Sequence, residues 1–212
     1  SSELTDMRPS LIPNLIAAAG RNAKRGFADL SICEVGHAYA GDRPEDETLR
    51  AAGVRRGNVV ARNWQGGTRV VDAFDAKADA LAVLDAAGAA TASLQAVAGA
   101  PAWYHPGRSG TIQMGPQNKL AHFGEIHPRV LADMDVKGPL VAFEVVLNAI
   151  PVPKAKNATR AALNAFDLLP VSRDFAFVID DGVEADKLIK AAKGADKGLI
   201  SDAVVFDVFK LD

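Results

Sequence analysis

The run GPLVAFEVVLNAI, residues 138–150, sets the first limit on the fold. It is β-rich, carries Glu144 as its only charge, and is held between Gly138 and Pro151. Residues of those two types punctuate regular structure, so the run reads as one short strand. Residues 28–41, ADLSICEVGHAYAG, read as a second strand with apolar residues on both faces, hence a covered one. NVVARNW, residues 58–64, reads as a third, and the Ala-rich residues 89–104 as a strand or extended piece. GDRPEDETLRAAGVRRGN, residues 41–58, reads as a polar connection. Short strands with helices interspersed argue for α+β, built on a largely antiparallel sheet.

Two helical patterns lie between these runs. In RPSLIPNLIAAAGRNAKRG, residues 8–26, Leu11, Leu15, Ala18 and Asn22 trace one stripe, with Ile12, Ile16 and Ala19 beside it. Proline is tolerated only in a first turn, so Pro13 sets the start near Ser10. Gly26 ends the helix, after Lys24 and Arg25, which suit the negative end of its dipole. VDAFDAKADALAVLDAAG, residues 71–88, is the second pattern and ends at Gly88.

Composition removes several function classes. A net charge of −2 over 212 residues gives no global attraction to nucleic acid or an anionic membrane, so RNA contact needs a local patch. No apolar run approaches the ~20 residues of a membrane span, and no secretory signal is present, which reads as a cytoplasmic chain without a membrane partner. Cys33, the single cysteine, rules out an intrachain disulfide and a thiolate cage; its apolar surroundings predict a small buried side chain.

AWYHPGRSGTIQMGPQNKLAHFGEIHP, residues 102–128, has the inventory of an active site, with three of the four histidines. Metal binding would use His122, Glu125 and His127. On a strand, Glu125 and His127 share a face and His122 takes the other, so no chelate forms. GRSG is not the Gly-x-Ser-x-Gly nucleophile elbow, and nothing supports a triad of Ser109 with His105 or His127. GPQNKL lacks the ending of a phosphate loop. Arg108 suits an anion or, more ordinarily, a surface ion pair. Elsewhere, Glu34 and His37 face opposite ways on a strand, and Asp72, Asp75 and Asp79 near a helix start satisfy its dipole. An autonomous hydrolase or metal enzyme built on the His105–His127 region stands as the alternative reading.

A boundary follows at PVPKAKNATRAALNAF, residues 151–166, with two prolines and a local basic bias. Beyond it the pattern is strand over Phe175–Ile179, a helix opening near Val183 with Asp181 as its cap, and strand over Ala203–Leu211. Lys187, Lys190, Lys193 and Lys197 are balanced by five nearby carboxylates, a solvated face. Lys154, Lys156, Arg160 and Arg173 make the better patch for RNA.

Six segments in order carry a family resemblance: MRPSLIPNLIAAAGRNAKRG, ICEVGHAY, VVDAFDAKADALAVL, WYHPGRSGTI, HFGEIHPRVLADMDVKGPLVAFEVVLNAI and LLPVSRDFAFVIDD. Together they resemble the C-terminal part of the beta chains of bacterial phenylalanyl-tRNA synthetases. The resemblance implies a class II synthetase-like core over residues 1–152, a linker over 153–168, and the first half of a ferredoxin-like anticodon-binding domain over 169–212. It implies that this core is catalytically silent, while an alpha subunit binds ATP with magnesium and activates phenylalanine. The implied assembly has a second alpha–beta pair and positions tRNA(Phe), with no cofactor held by this stretch. Silence agrees with the residues. ICEVGHAYAGD has no arginine before Arg43 where an α-phosphate would be held, and GPLVAFEVVLNAI offers Glu144 and no arginine for a γ-phosphate. Leu11, Leu15 and Ile16 are the implied candidates for the alpha-subunit contact. In a ferredoxin-like fold the first two strands are not neighbours, so the tail is expected to be weakly ordered or paired with another chain.

Overall fold

The computed structural model describes residues 6–61, 63–152 and 168–209. The chain divides into two compact units, Ser1–Ala158 and Thr159–Asp212.

The first unit is one six-stranded sheet with helices on both faces. Its strands are β1 (Leu30–Tyr39), β2 (Glu47–Arg56), β3 (Gln95–Ala98), β4 (Tyr104–Met114), β5 (Asn118–Ile126) and β6 (Leu140–Val146). They lie in the order β1-β2-β6-β5-β4-β3, and every pairing is antiparallel. Helix α1 (Ile12–Lys24), with the short α3 (Pro128–Asp133), covers part of one face. Helix α2 (Ala73–Ala86) covers the other. The α+β reading with an antiparallel sheet is correct.

The helix ends follow from local chemistry. Pro13 sits in the first turn of α1, and Gly26 closes it at φ +95° in a Schellman turn, with Phe27 N–H donating to Asn22 O (3.1 Å) and Gly26 N–H to Ala23 O (3.0 Å). Asp72 caps α2 and forms a capping box with Asp75. Gly88 ends that helix in the same way, as expected. The acidic residues at its start therefore cap and pair. Asp75 takes the Arg69 guanidinium (2.7 Å), and Asp79 takes Arg55.

Three strand readings are corrected. Residues 47–56 form β2, the second strand of the sheet, where a polar connection was expected. Ala51, Ala52 and Gly53 carry weak β propensity, but their smallness lets large neighbours lie across them. NVVARNW contributes only the isolated bridge Asn58–Val70. And β1 is an edge strand of the sheet, met on its outer side by Arg8 and by no strand among the described residues, so Cys33 is exposed rather than buried and Val35 is 66% exposed. Helix α2 packs over β5, β6 and β2, which leaves that face of β1 uncovered.

In the second unit the described residues form one helix, α4 (Ala185–Ala195), whose N-cap position is Glu184 rather than Asp181, with no side-chain capping bond. The segments expected as strands, Phe175–Ile179 and the described part of Ala203–Leu211, have no strand partner among the described residues. A strand exists only as a member of a ladder, and two segments that are not neighbours in the implied sheet cannot supply one another.

Candidate functional site

The open part of the α1-covered face holds a row of side chains that crosses the whole sheet. The cross-strand pairs Glu34↔Ala52, Ala52↔Glu144, Glu144↔His122, His122↔Thr111 and Thr111↔Val97 place one residue from each strand in line. Directly opposite residues of antiparallel strands share a face, so this row is one polar rung.

Glu144 is the rung's centre and is only 4% exposed. Its Oε1 accepts from Ser10 Oγ (2.9 Å) and from Leu11 N–H (2.8 Å), and its Oε2 accepts from Arg50 Nη1 (2.9 Å). Ser10 Oγ also accepts from Ile12 N–H at 3.1 Å. The carboxylate thus sits at the positive end of α1 and satisfies two needs at once: the helix's unpaired amides and a guanidinium. Arg50 is further held by Thr48 Oγ1, which accepts from its Nε at 3.0 Å. At the rung's other end, Arg8 Nη1 donates to Glu34 (2.6 Å) and Arg8 Nε to His37 O (2.9 Å). Gly36 makes room for that guanidinium, since a Cβ there would lie 2.5 Å from Arg8 Nη2.

His122 completes the rung. Thr111 Oγ1 donates its single proton to Gly99 O (2.8 Å), so its contact with His122 Nδ1 (2.9 Å) has the imidazole donating. That leaves His122 Nε2 as an acceptor. Burial, with Lys119 nearby, holds this imidazole below its ordinary pKa of 6.5 and so neutral. Tyr104, fully buried near Glu144, has its phenol pushed far up by burial and by that charge, and its hydroxyl has no hydrogen-bond partner among the described residues.

Of the residues singled out from 102–128, the His105 and His127 rings stack with centroids 6.4 Å apart, but the proposed metal set and the proposed triad are not assembled. His122 and Glu125 face opposite sides of β5, and His127 leaves the strand to cap α3, its Nδ1 accepting from Arg129 N–H (3.1 Å). Ser109 Oγ donates to the backbone carbonyl of His105 (2.7 Å), not to an imidazole. His105 Nδ1 accepts from Gly107 N–H (3.1 Å). Arg108 takes the ion-pair role, closing on Glu125 and holding that carboxyl below its usual range. The Pro and Gly of HPGR belong to an irregularity of β4. Between the pairs Tyr104↔Ile126 and Ser109↔Gly124, the four residues 105–108 have no partner. The stretch looks catalytic because it is a bulge.

Leu11, Leu15 and Ile16 are 0%, 5% and 1% exposed, buried against this chain's own sheet. Arg173 is exposed, and among the described residues its guanidinium donates to Ser172 O (3.2 Å). Lys154, Lys156 and Arg160 lie outside the described residues. Arg8 and Arg50 were missed from sequence: Arg8 precedes the helix, and Arg50 sat in a supposed loop. Their signal was only their sign, opposite to that of Glu34 and Glu144.

The family described as phenylalanyl tRNA synthetase beta chain CLM domain matches residues 1–147. The chain belongs to that family. It is 56% identical over 213 residues to the phenylalanine–tRNA ligase beta subunit of Rhodospirillum rubrum, which covers 100% of this chain and 26% of that one. It is 54% identical over 218 residues to the beta subunit of Bradyrhizobium diazoefficiens, covering 99% of this chain and 27% of that one. The chain therefore spans about a quarter of the length of the curated beta-subunit relatives it matches. Among solved structures, a pyrrolysyl tRNA synthetase of Desulfitobacterium hafniense is similar with a TM-score of 0.46 and 18% identity, over 67% of this chain and 46% of that one.

Proposed function

We propose that this chain is the catalytically silent, class II-like core of a phenylalanine–tRNA ligase beta subunit, which docks onto a catalytic alpha subunit and helps position tRNA(Phe) in the cytoplasm. One observation carries the silence. The two guanidinia at the polar rung are already closed by this chain's own carboxylates, Arg8 by Glu34 and Arg50 by Glu144. A triphosphate needs arginines free to meet its charge in a partly dry site. On this reading adenylate formation belongs to the alpha subunit, with a second alpha–beta pair completing the assembly.

Leu11, Leu15 and Ile16 serve docking from beneath, by fixing α1 on the sheet. A partner would meet the helix's outer side, where Pro13, Asn14, Arg21 and Lys24 are exposed. The second unit enters this reading as the opening of a ferredoxin-like anticodon-binding domain, supported by a helix between two apolar segments. Amide exchange checks its state: core-level protection of Val204–Phe209 in a monomer would refute a tail lacking strand partners. Arg173, with Lys154, Lys156 and Arg160, gives weak tRNA binding that falls as salt rises.

Size-exclusion light scattering of the chain, alone and mixed with a cognate alpha subunit, tests the docking. A stable complex in the mixture is expected. Two species running apart would overturn docking by this portion of the beta subunit.

A further inference from the structure

Beyond the polar rung, past His122 and Thr111, the same face dips into a hollow of about 450 Å³. Thr111, Gln113, Lys119 and His122 form its floor, and Val97 and Pro101 contribute to an apolar wall. Gly99, at φ +94° with open space where a Cβ would sit, turns its carbonyl onto the Thr111 hydroxyl as the chain runs from β3 into that wall.

The polar groups of this hollow differ from those of the rung. Arg8 and Arg50 are spent on carboxylates, but the Lys119 ammonium, the Gln113 amide and His122 Nε2 have no partner among the described residues. The nearest buried carboxylate, Glu144, is already balanced by Arg50 and the amide of Leu11. The floor therefore offers one unbalanced positive charge, an amide that both donates and accepts, and an imidazole nitrogen whose tautomer is fixed as an acceptor by Thr111.

We propose that this hollow binds a small anion, a carboxylate or a phosphate, that carries an uncharged O–H or N–H donor beside its charged group. Lys119 meets the anion, His122 Nε2 accepts from the donor, and a compact apolar body lies against Val97 and Pro101. A net anion gains more from a single cation than a zwitterion does, because a zwitterion's own ammonium offsets part of the attraction. The site makes no use of the closed arginines, so it stands or falls separately from the silence of the core and from docking to an alpha subunit.

The test is an NMR titration of the 212-residue chain, following the His122 ring and Lys119 side-chain signals, with three probes. Lactate has a carboxylate beside a hydroxyl, propionate is the same acid without the hydroxyl, and inorganic phosphate carries its own O–H. Saturable shifts with lactate or with phosphate are expected, and which of the two saturates first identifies the anion class. Propionate should bind up to about tenfold more weakly than lactate, because it leaves His122 Nε2 unpaired. Lys119→Ala, at an exposed position, should weaken binding about tenfold or more without changing the fold. Shifts that stay linear with both lactate and phosphate would overturn the proposal, as would saturable shifts that Lys119→Ala leaves unchanged.

Discussion

Phe143 and Glu144 are adjacent in β6 and face opposite sides of the same sheet, each at the centre of a row that crosses it. On the α2 side the row runs Cys33, Gly53, Phe143, Phe123 and Gly110. Two phenylalanine rings lie flat over two glycines: a Cβ at Gly53 would come within 2.6 Å of Phe143, and one at Gly110 within 2.6 Å of Phe123. On the α1 side the row runs Glu34, Ala52, Glu144, His122 and Thr111. The aromatic row is held by shape, and its energy comes from area removed from water. The polar row is held by pairing, and each member is tolerated only because its neighbour answers it.

Removing the centre of the aromatic row should have the largest effect. Phe143→Ala empties space between α2 and the sheet, and should cost about 3–5 kcal/mol, read as a lower urea midpoint. Glu144→Ala comes next, at about 3 kcal/mol, because it strands a largely buried guanidinium and uncaps α1. Glu144→Gln, which keeps an acceptor for Leu11 N–H, should lose clearly less. If the two Glu144 variants lost the same, the charge would matter and the cap would not.

How these two rows read in sequence differs for a physical reason. The helix with Pro13 and Gly26, the helix capped by Asp72, and the strand 138–150 were legible because their signals are local: a fixed φ, a cap, an apolar run. The rows were not, since Gly53 and Arg50 acquire their meaning only when β2 is recognised as a strand, and ETLRAAGVRR carries no β-branched or aromatic residue beyond Thr48 and Val54. Cys33 was misplaced on the same account. An apolar run predicts cover, but the edge position of β1 and the reach of α2 are decided by the whole sheet. The family resemblance supplied the expectation of a silent core, and the paired arginines are the observation on which that proposal rests.

The polar row should also respond to pH where the aromatic row does not. His122 has its folded-state pKa lowered below 6.5, so the unfolded chain binds a proton more readily as pH falls through that value. Its contribution is therefore present at neutral pH and lost progressively below about 6.5. A fall in urea midpoint between neutral and mildly acidic pH, reduced in His122→Gln and unchanged in relative size in Phe143→Ala, is the expected pattern. The smallest effect is reserved for Arg108→Gln. That pair joins a half-exposed guanidinium to the largely covered Glu125 carboxylate at the β4 bulge, outside both rows, and the urea midpoint should fall only slightly.

The account turns on the closed arginines, and the most direct measurement is phenylalanine-dependent ATP–pyrophosphate exchange by this chain alone, by a cognate alpha subunit alone, and by their mixture. The account predicts no exchange from this chain by itself, and the same exchange per assembled alpha subunit whether the beta partner carries Arg50 or Arg50→Ala, once complex formation is matched. Exchange by this chain alone that disappears with Arg50→Ala would contradict it, since that guanidinium would then be holding phosphate rather than Glu144.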